Sequence, residues 1–85
     1  MNGHEFLHLL GKVRDAAAGG KEAWSVQSTG EKVAVALALS RFDWLYSMGY
    51  TIPEAIDRAG PEWISMIPEI EKIILRDEEA RASDP

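Results

Sequence analysis

The residues best suited to chemistry stand near the start of the chain: His4-Glu5-Phe6-Leu7-His8, a literal H-E-x-x-H. On a helix, histidines four apart share a face and can hold one zinc ion, with the intervening glutamate as general base. A catalytic zinc also needs a third protein ligand. The chain has only these two histidines, so that ligand would be a carboxylate. No strand is predicted to hold a substrate, and helices fray at chain ends. At 100° per residue, both histidines fall opposite the apolar stripe of their helix. The sequence therefore predicts a solvated helix face here, with a surface zinc site through His4 and His8 as the remote alternative. Thr29-Gly30-Glu31-Lys32 has the form of a linker between tandem zinc fingers, but a chain with no cysteine has no fingers to link. Gly19-Gly20-Lys21 lacks the spacing of a phosphate loop. No serine pairs with a histidine and an acid. The expectation is a non-enzymatic protein with no catalytic, cofactor-binding or metal-binding residues.

Composition narrows the field further. At 85 residues the chain is one domain's length. A chain of this size buries roughly 60–65% of its unfolded surface, which leaves little room for a deep catalytic cleft. Hydrophobic residues make up 46%, well above a disordered composition. The absence of cysteine removes disulfides, thiolate metal sites and cysteine nucleophiles together. A net charge of −5 disfavours phosphate backbones and anionic membrane surfaces. The longest apolar run is Val33 to Leu39, against the roughly 20 residues of a membrane span. The N-terminus has no basic start and apolar run of a signal peptide, so the expected location is the cytoplasm.

The elements that must position these residues are read from periodicity and punctuation. Phe6, Leu9, Leu10, Val13 and Ala17 make the stripe of a helix over His4–Ala18, ended by Gly19-Gly20. Lys21 to Gln27 reads as a connector, extended in part, with Trp24 and Val26 as apolar pegs. Ser28-Thr29-Gly30-Glu31 is a capping box. The run after it, Lys32 to Leu39, alternates large residues with alanines, which is also a strand period. The cap and the alanines favour helix, and apolar residues all round predict a buried central one. Ser40-Arg41-Phe42-Asp43 repeats the cap pattern before a short helix to Met48, stopped by Gly49. Thr51-Ile52-Pro53-Glu54 is a third box, opening a helix over Ile52–Ala59 that ends at Gly60. Pro61 starts a last helical segment that Pro68 is expected to kink or restart. Trp63, Ile67, Ile70 and Ile74 form its core stripe. The sum is an all-α, compact single domain of five or six short helices over residues 1–81, with a disordered tail at 82–85. Of Trp24, Trp44 and Trp63, at least two are expected in the core.

Arg41 to Gly60 has the layout of a helix-turn-helix, and a DNA-binding regulator is the alternative reading of the chain. Its second helix would present Glu54, Asp57 and Arg58, a mostly acidic set that repels phosphates, so nucleic acid is not the expected partner. The same stretch resembles a ubiquitin-associated domain in Met48-Gly49-Tyr50, followed by Ala55 and Ala59, although the connection onward is too short for that family. Four segments together, Ser28-Thr29-Gly30-Glu31-Lys32, Phe42-Asp43-Trp44-Leu45, Met48-Gly49-Tyr50-Thr51-Ile52 and Gly60-Pro61-Glu62-Trp63, carry a broader likeness over residues 28–68. In them the chain resembles a group of small uncharacterised proteobacterial proteins, often encoded on integrative elements, plasmids or near phage genes. That resemblance implies a bacterial accessory protein and supplies no catalytic residue.

Large apolar residues are in surplus at the C-terminal end. Ile64, Met66, Ile67, Ile70, Ile73, Ile74 and Leu75 cover more than one helix face. Met66, Ile73 and Leu75 fall to the side of the expected stripe and are the candidate interface, since leftover apolar surface marks a contact site. The functional expectation is a protein that acts through protein–protein interaction, with a partner or with a second copy of itself.

Overall fold

Two glycines decide how the first helix is used. The computed structural model describes residues 3–82. In it, α1 runs over Gly3–Ser25 with non-helical backbone at Gly20 (φ 70°, ψ −159°). A left-handed φ costs glycine nothing, so the bend falls there. Gly19 is needed for a second reason: a Cβ on it would stand 2.6 Å from the Cβ of Ala23. The predicted break is thus a kink, and the predicted connector is corrected: Lys21–Ser25 is a further helical turn. Of its two expected pegs, Trp24 is buried while Val26, past the helix end, is 84% exposed. The loop is held instead by Gln27, whose Nε2 donates to the Lys12 carbonyl at 2.9 Å.

Four more helices follow: α2 (Thr29–Ala38), α3 (Phe42–Ser47), α4 (Ile52–Ala59) and α5 (Pro61–Ala82). The described residues contain no strand. The boxes at Ser28/Glu31 and Thr51/Glu54 are both closed in both directions. The alternating run of α2 is helical, with Val33, Ala34, Val35, Ala36 and Ala38 all buried. α2 packs against each of the other four helices. Small side chains let the neighbouring backbones approach it closely, which explains a buried helix in which three of the five buried residues are alanine.

The third predicted cap is a correction. The N-cap of α3 is Arg41, with no side-chain cap, and Ser40 belongs to the helix before it. Ser40 sits at φ 55°, donating its N–H to Leu37 O at 3.1 Å, while Arg41 N–H reaches Ala36 O at 2.8 Å. These two bonds make a Schellman C-terminus with serine in the left-handed position. Gly49 (φ 82°) closes α3 in the same way, through Gly49 N–H to Tyr46 O and Tyr50 N–H to Leu45 O.

Pro68 does not break α5, which is helical throughout Pro61–Ala82. Pro68 is exposed, so the Ile64 carbonyl that loses its donor lies on the solvent side, while Met66, Ile70 and Ile74 are buried before and after it. The core stripe of α5 is therefore set differently from the sequence expectation. Ile70 is at its centre, fully buried. Measured from Ile70, Met66 is about 40° round the helix and Ile67 about 60°, which puts the methionine nearer the contact arc. Met66 is 1% exposed and is a core residue, not a surface one. Ile67 and Ile73, about 60° to either side of Ile70, are partly buried at the arc's edges, Trp63 is partly buried in the first turn of the helix, and Leu75, about 140° away, is 52% exposed. Two of the three tryptophans, Trp24 and Trp44, are in the core. The helix reaches Ala82, where the tail was expected to begin, and residues 83–85 lie outside the described residues.

Two substitutions test this arrangement. Ser40→Gly relieves a left-handed non-glycine residue, a conformation costing roughly 1–2 kcal/mol, and is expected to raise the thermal midpoint; an unchanged or lower midpoint would refute the strain at this position. Ile70→Glu is expected to abolish cooperative unfolding through a buried unpaired charge, whereas Leu75→Glu is expected to keep wild-type circular dichroism.

Candidate functional site

The H-E-x-x-H residues are brought to one place and put to structural use. Glu5 Oε2 accepts a hydrogen bond from Trp63 Nε1 at 2.8 Å, tying the first turn of α1 to the first turn of α5. His8 Nε2 lies 2.6 Å from Glu31 Oε2, and its ring is tilted against Trp63 with centroids 6.3 Å apart. His8 thus bridges the starts of α2 and α5. His4 is exposed on the same helix face. The expectation of a merely solvated face is corrected for Glu5 and His8, whose partners lie 58 and 23 residues away in the chain. Among the described residues no group of three or more His, Cys, Asp or Glu side chains converges as a metal site.

Glu31 is the most constrained carboxylate of this cluster. Desolvation pushes its carboxyl up. The Ser28 N–H, His8, the Ser28 hydroxyl and the charge of Lys12 together outweigh that, and the net direction is below the usual carboxylate value of 4.5. Glu54 is lowered in the same manner by the backbone N–H and hydroxyl of Thr51.

The helix-turn-helix layout places α3 against α4, and one of its two basic residues, Arg41, is already engaged. Arg41 makes a two-point pair with Asp43 (3.1 and 2.9 Å) and lies over the Trp44 ring with its Cζ 4.4 Å from the centroid. The Arg58 guanidinium lies close over Gly30 of α2. α4 presents its N-terminal turn through Ile52, Pro53 and Glu54, with Asp57 exposed beyond.

The apolar exterior is more informative. Among the described residues, the large hydrophobics left exposed are Leu7, Val26, Phe42, Tyr46, Ile52, Ile56 and Leu75. Phe42/Tyr46 and Ile52/Ile56 are i, i+4 pairs on two helices in contact. Only Ala55 of α4 is buried, so the alanine edge of its apolar face meets the core while the isoleucines flank it outside. Of the sequence-derived interface residues, Leu75 is exposed, Ile73 is half-buried and Met66 is unavailable. Sequence reasoning missed the α3–α4 side chains, although the i, i+4 pairs could have been read from the pattern.

Leu75 borders a hollow of about 250 Å³ between the end of α2 and the middle of α5, floored by Leu39 and Ile74 and edged by Ser40, Glu71 and Glu78. Leu39 and Glu78 also line a second hollow of about 170 Å³ that continues toward Trp44 and Arg41. A third, of about 380 Å³, lies across α5 beside the Arg14–Asp77 ion pair. No helix among the described residues is long and apolar enough to cross a membrane. No family model, curated protein or solved structure matches the chain.

The Glu31 cluster yields a pH prediction. A carboxyl held lower in the folded state than in the unfolded chain stabilises the fold above its unfolded pKa, and that contribution is lost as pH falls through the folded value. The window therefore opens near pH 4.5 and extends downward. Denaturant unfolding of Glu31→Gln is expected to show a shallower loss of stability than wild type below that pH. Superimposable acid limbs for the two proteins would refute the role of Glu31.

Proposed function

We propose that this protein is non-enzymatic and works by binding another protein or a second copy of itself. The observation that carries the reading is the distribution of apolar side chains. The core is filled by Leu9, Val13, Val33, Val35, Leu45, Met66 and Ile70, all nearly fully buried, yet Tyr46 and Leu75 remain 84% and 52% exposed. Burying such side chains contributes roughly 1.5–3 kcal/mol each, which an isolated monomer forgoes and a complex captures. The charged groups that would suit chemistry act instead as cross-links between helices: Glu5 with Trp63, His8 with Glu31, Arg14 with Asp77. The likeness of residues 28–68 to small proteobacterial proteins extends the proposal to a bacterial accessory protein of a mobile element, acting in the cytoplasm. The DNA-binding alternative is disfavoured because Arg41 is held by Asp43 and Trp44.

Site-specific photocrosslinking in the native host tests the reading. A benzophenone amino acid at Leu75 or Tyr46 is expected to yield discrete protein adducts, with none at the exposed control position Glu69. No adducts at either apolar position, or the same adducts at all three, would overturn it.

A further inference from the structure

Resting on that interaction reading, we infer that the groove between α2 and α5 receives a basic amphipathic helix of a different protein, seated by one aliphatic anchor. The groove has an apolar floor and a one-sign rim. Leu39 and Ile74 form the floor, and the exposed Leu75 stands at its edge. Glu71 and Glu78 are two turns apart on α5, about 10.5 Å along the axis, and both line the hollow. Neither makes an ion pair or side-chain hydrogen bond among the described residues, in contrast to Asp77 and Asp43, which are held by Arg14 and Arg41. No Lys or Arg lines this hollow. Where it continues past Leu39 toward α3, the cation it reaches is Arg41, already paired with Asp43. Lys72 and Arg76 of α5 do not line it.

This pattern sets the chemistry of the occupant. An aliphatic side chain fills the hollow over Leu39 and Leu75. Lys or Arg residues three or four positions to either side of that anchor match the spacing of Glu71 and Glu78. A second copy of this chain fits poorly. Each copy carries a net charge of −5, so two copies repel on approach. Complementary charge therefore favours a basic partner over self-association at this face.

The experiment uses the full chain and two synthetic helical peptides. Each has one central leucine, with lysines at positions −4, −3, +3 and +4 in one peptide and glutamates there in its twin. Amide chemical shifts are followed by NMR at two salt concentrations. The lysine peptide is expected to perturb Leu39, Glu71, Leu75 and Glu78, more weakly at high salt, and the glutamate twin to leave them unmoved. Glu71→Lys/Glu78→Lys is expected to weaken the lysine peptide by about tenfold or more and to admit the twin, with circular dichroism unchanged. Binding elsewhere, equal response to both peptides, no response to either, or insensitivity to the charge reversal would overturn the proposal. So would dimerisation of the wild-type chain through Leu75, seen by sedimentation. Photocrosslinks at Leu75 separate the two levels: adducts formed with peptides that ignore the groove would discard the basic occupant and leave the interaction reading standing, whereas no adducts and no peptide binding would discard both.

Discussion

The structure hangs on a column of four side chains. Trp24 and Trp44 are stacked at 4.9 Å between ring centroids, with Lys32 Nζ 5.3 Å from the first ring and Arg41 Cζ 4.4 Å from the second. Trp24 Nε1 donates to the Lys32 carbonyl at 2.8 Å, so the indole is satisfied as well as buried. Stacking of such a pair is worth roughly 0.5–1.5 kcal/mol beyond burial, and the two cations complement the negative faces of the rings. The column joins the last turn of α1, the first turn of α2 and the start of α3. It requires the bend at Gly20, because a straight α1 would carry Trp24 away from Trp44.

The rest of the packing follows from the central position of α2. Its valines and alanines offer little volume, so the surrounding helices close tightly and use up the interior with a modest set of aliphatic residues. α4 meets the core through Ala55 alone among its fully buried positions. α5, the second longest helix, can bury only one arc, centred on Ile70. Larger side chains beyond these arcs are forced outward by geometry. The exposed Phe42, Tyr46, Ile52, Ile56 and Leu75 are the consequence.

Charges divide into two populations. One joins elements distant in sequence: Glu5 to Trp63, His8 to Glu31, Arg14 to Asp77. These ties are partly exposed, and isolated exposed ion pairs contribute only about 0–1 kcal/mol each, so they set the orientation of helices more than the stability of the fold. The other population is the pair Glu71 and Glu78 beside the α2–α5 hollow, left unneutralised next to apolar surface. The second population is the one left available for recognition, because no ion pair among the described residues of the monomer neutralises it.

Local signals were strong enough to define most elements from the residues alone. The Ser28/Glu31 and Thr51/Glu54 boxes, the glycines at 20, 49 and 60, and the alanine-rich run of α2 act within a few residues, and the all-α class follows from them. The acidic charge and the lack of cysteine likewise needed no structure. Three-dimensional packing decided what depends on distant partners. Ser40 reads as an N-cap by type, but the Schellman bonds from residues 40 and 41 claim it for the end of α2. Pro68 reads as a break, but its ring faces solvent while burial on the opposite side holds α5 continuous. Met66 falls beside a stripe drawn through Trp63 and Ile67, but the arc that α1, α2 and α4 offer to α5 is centred on Ile70. His8 and Glu5 spell a zinc motif in one dimension. Only the approach of Glu31 and Trp63, brought there by the docking of α2 and α5, determines that these side chains join helices, since a linear pattern carries no information about which distant atoms will arrive beside it.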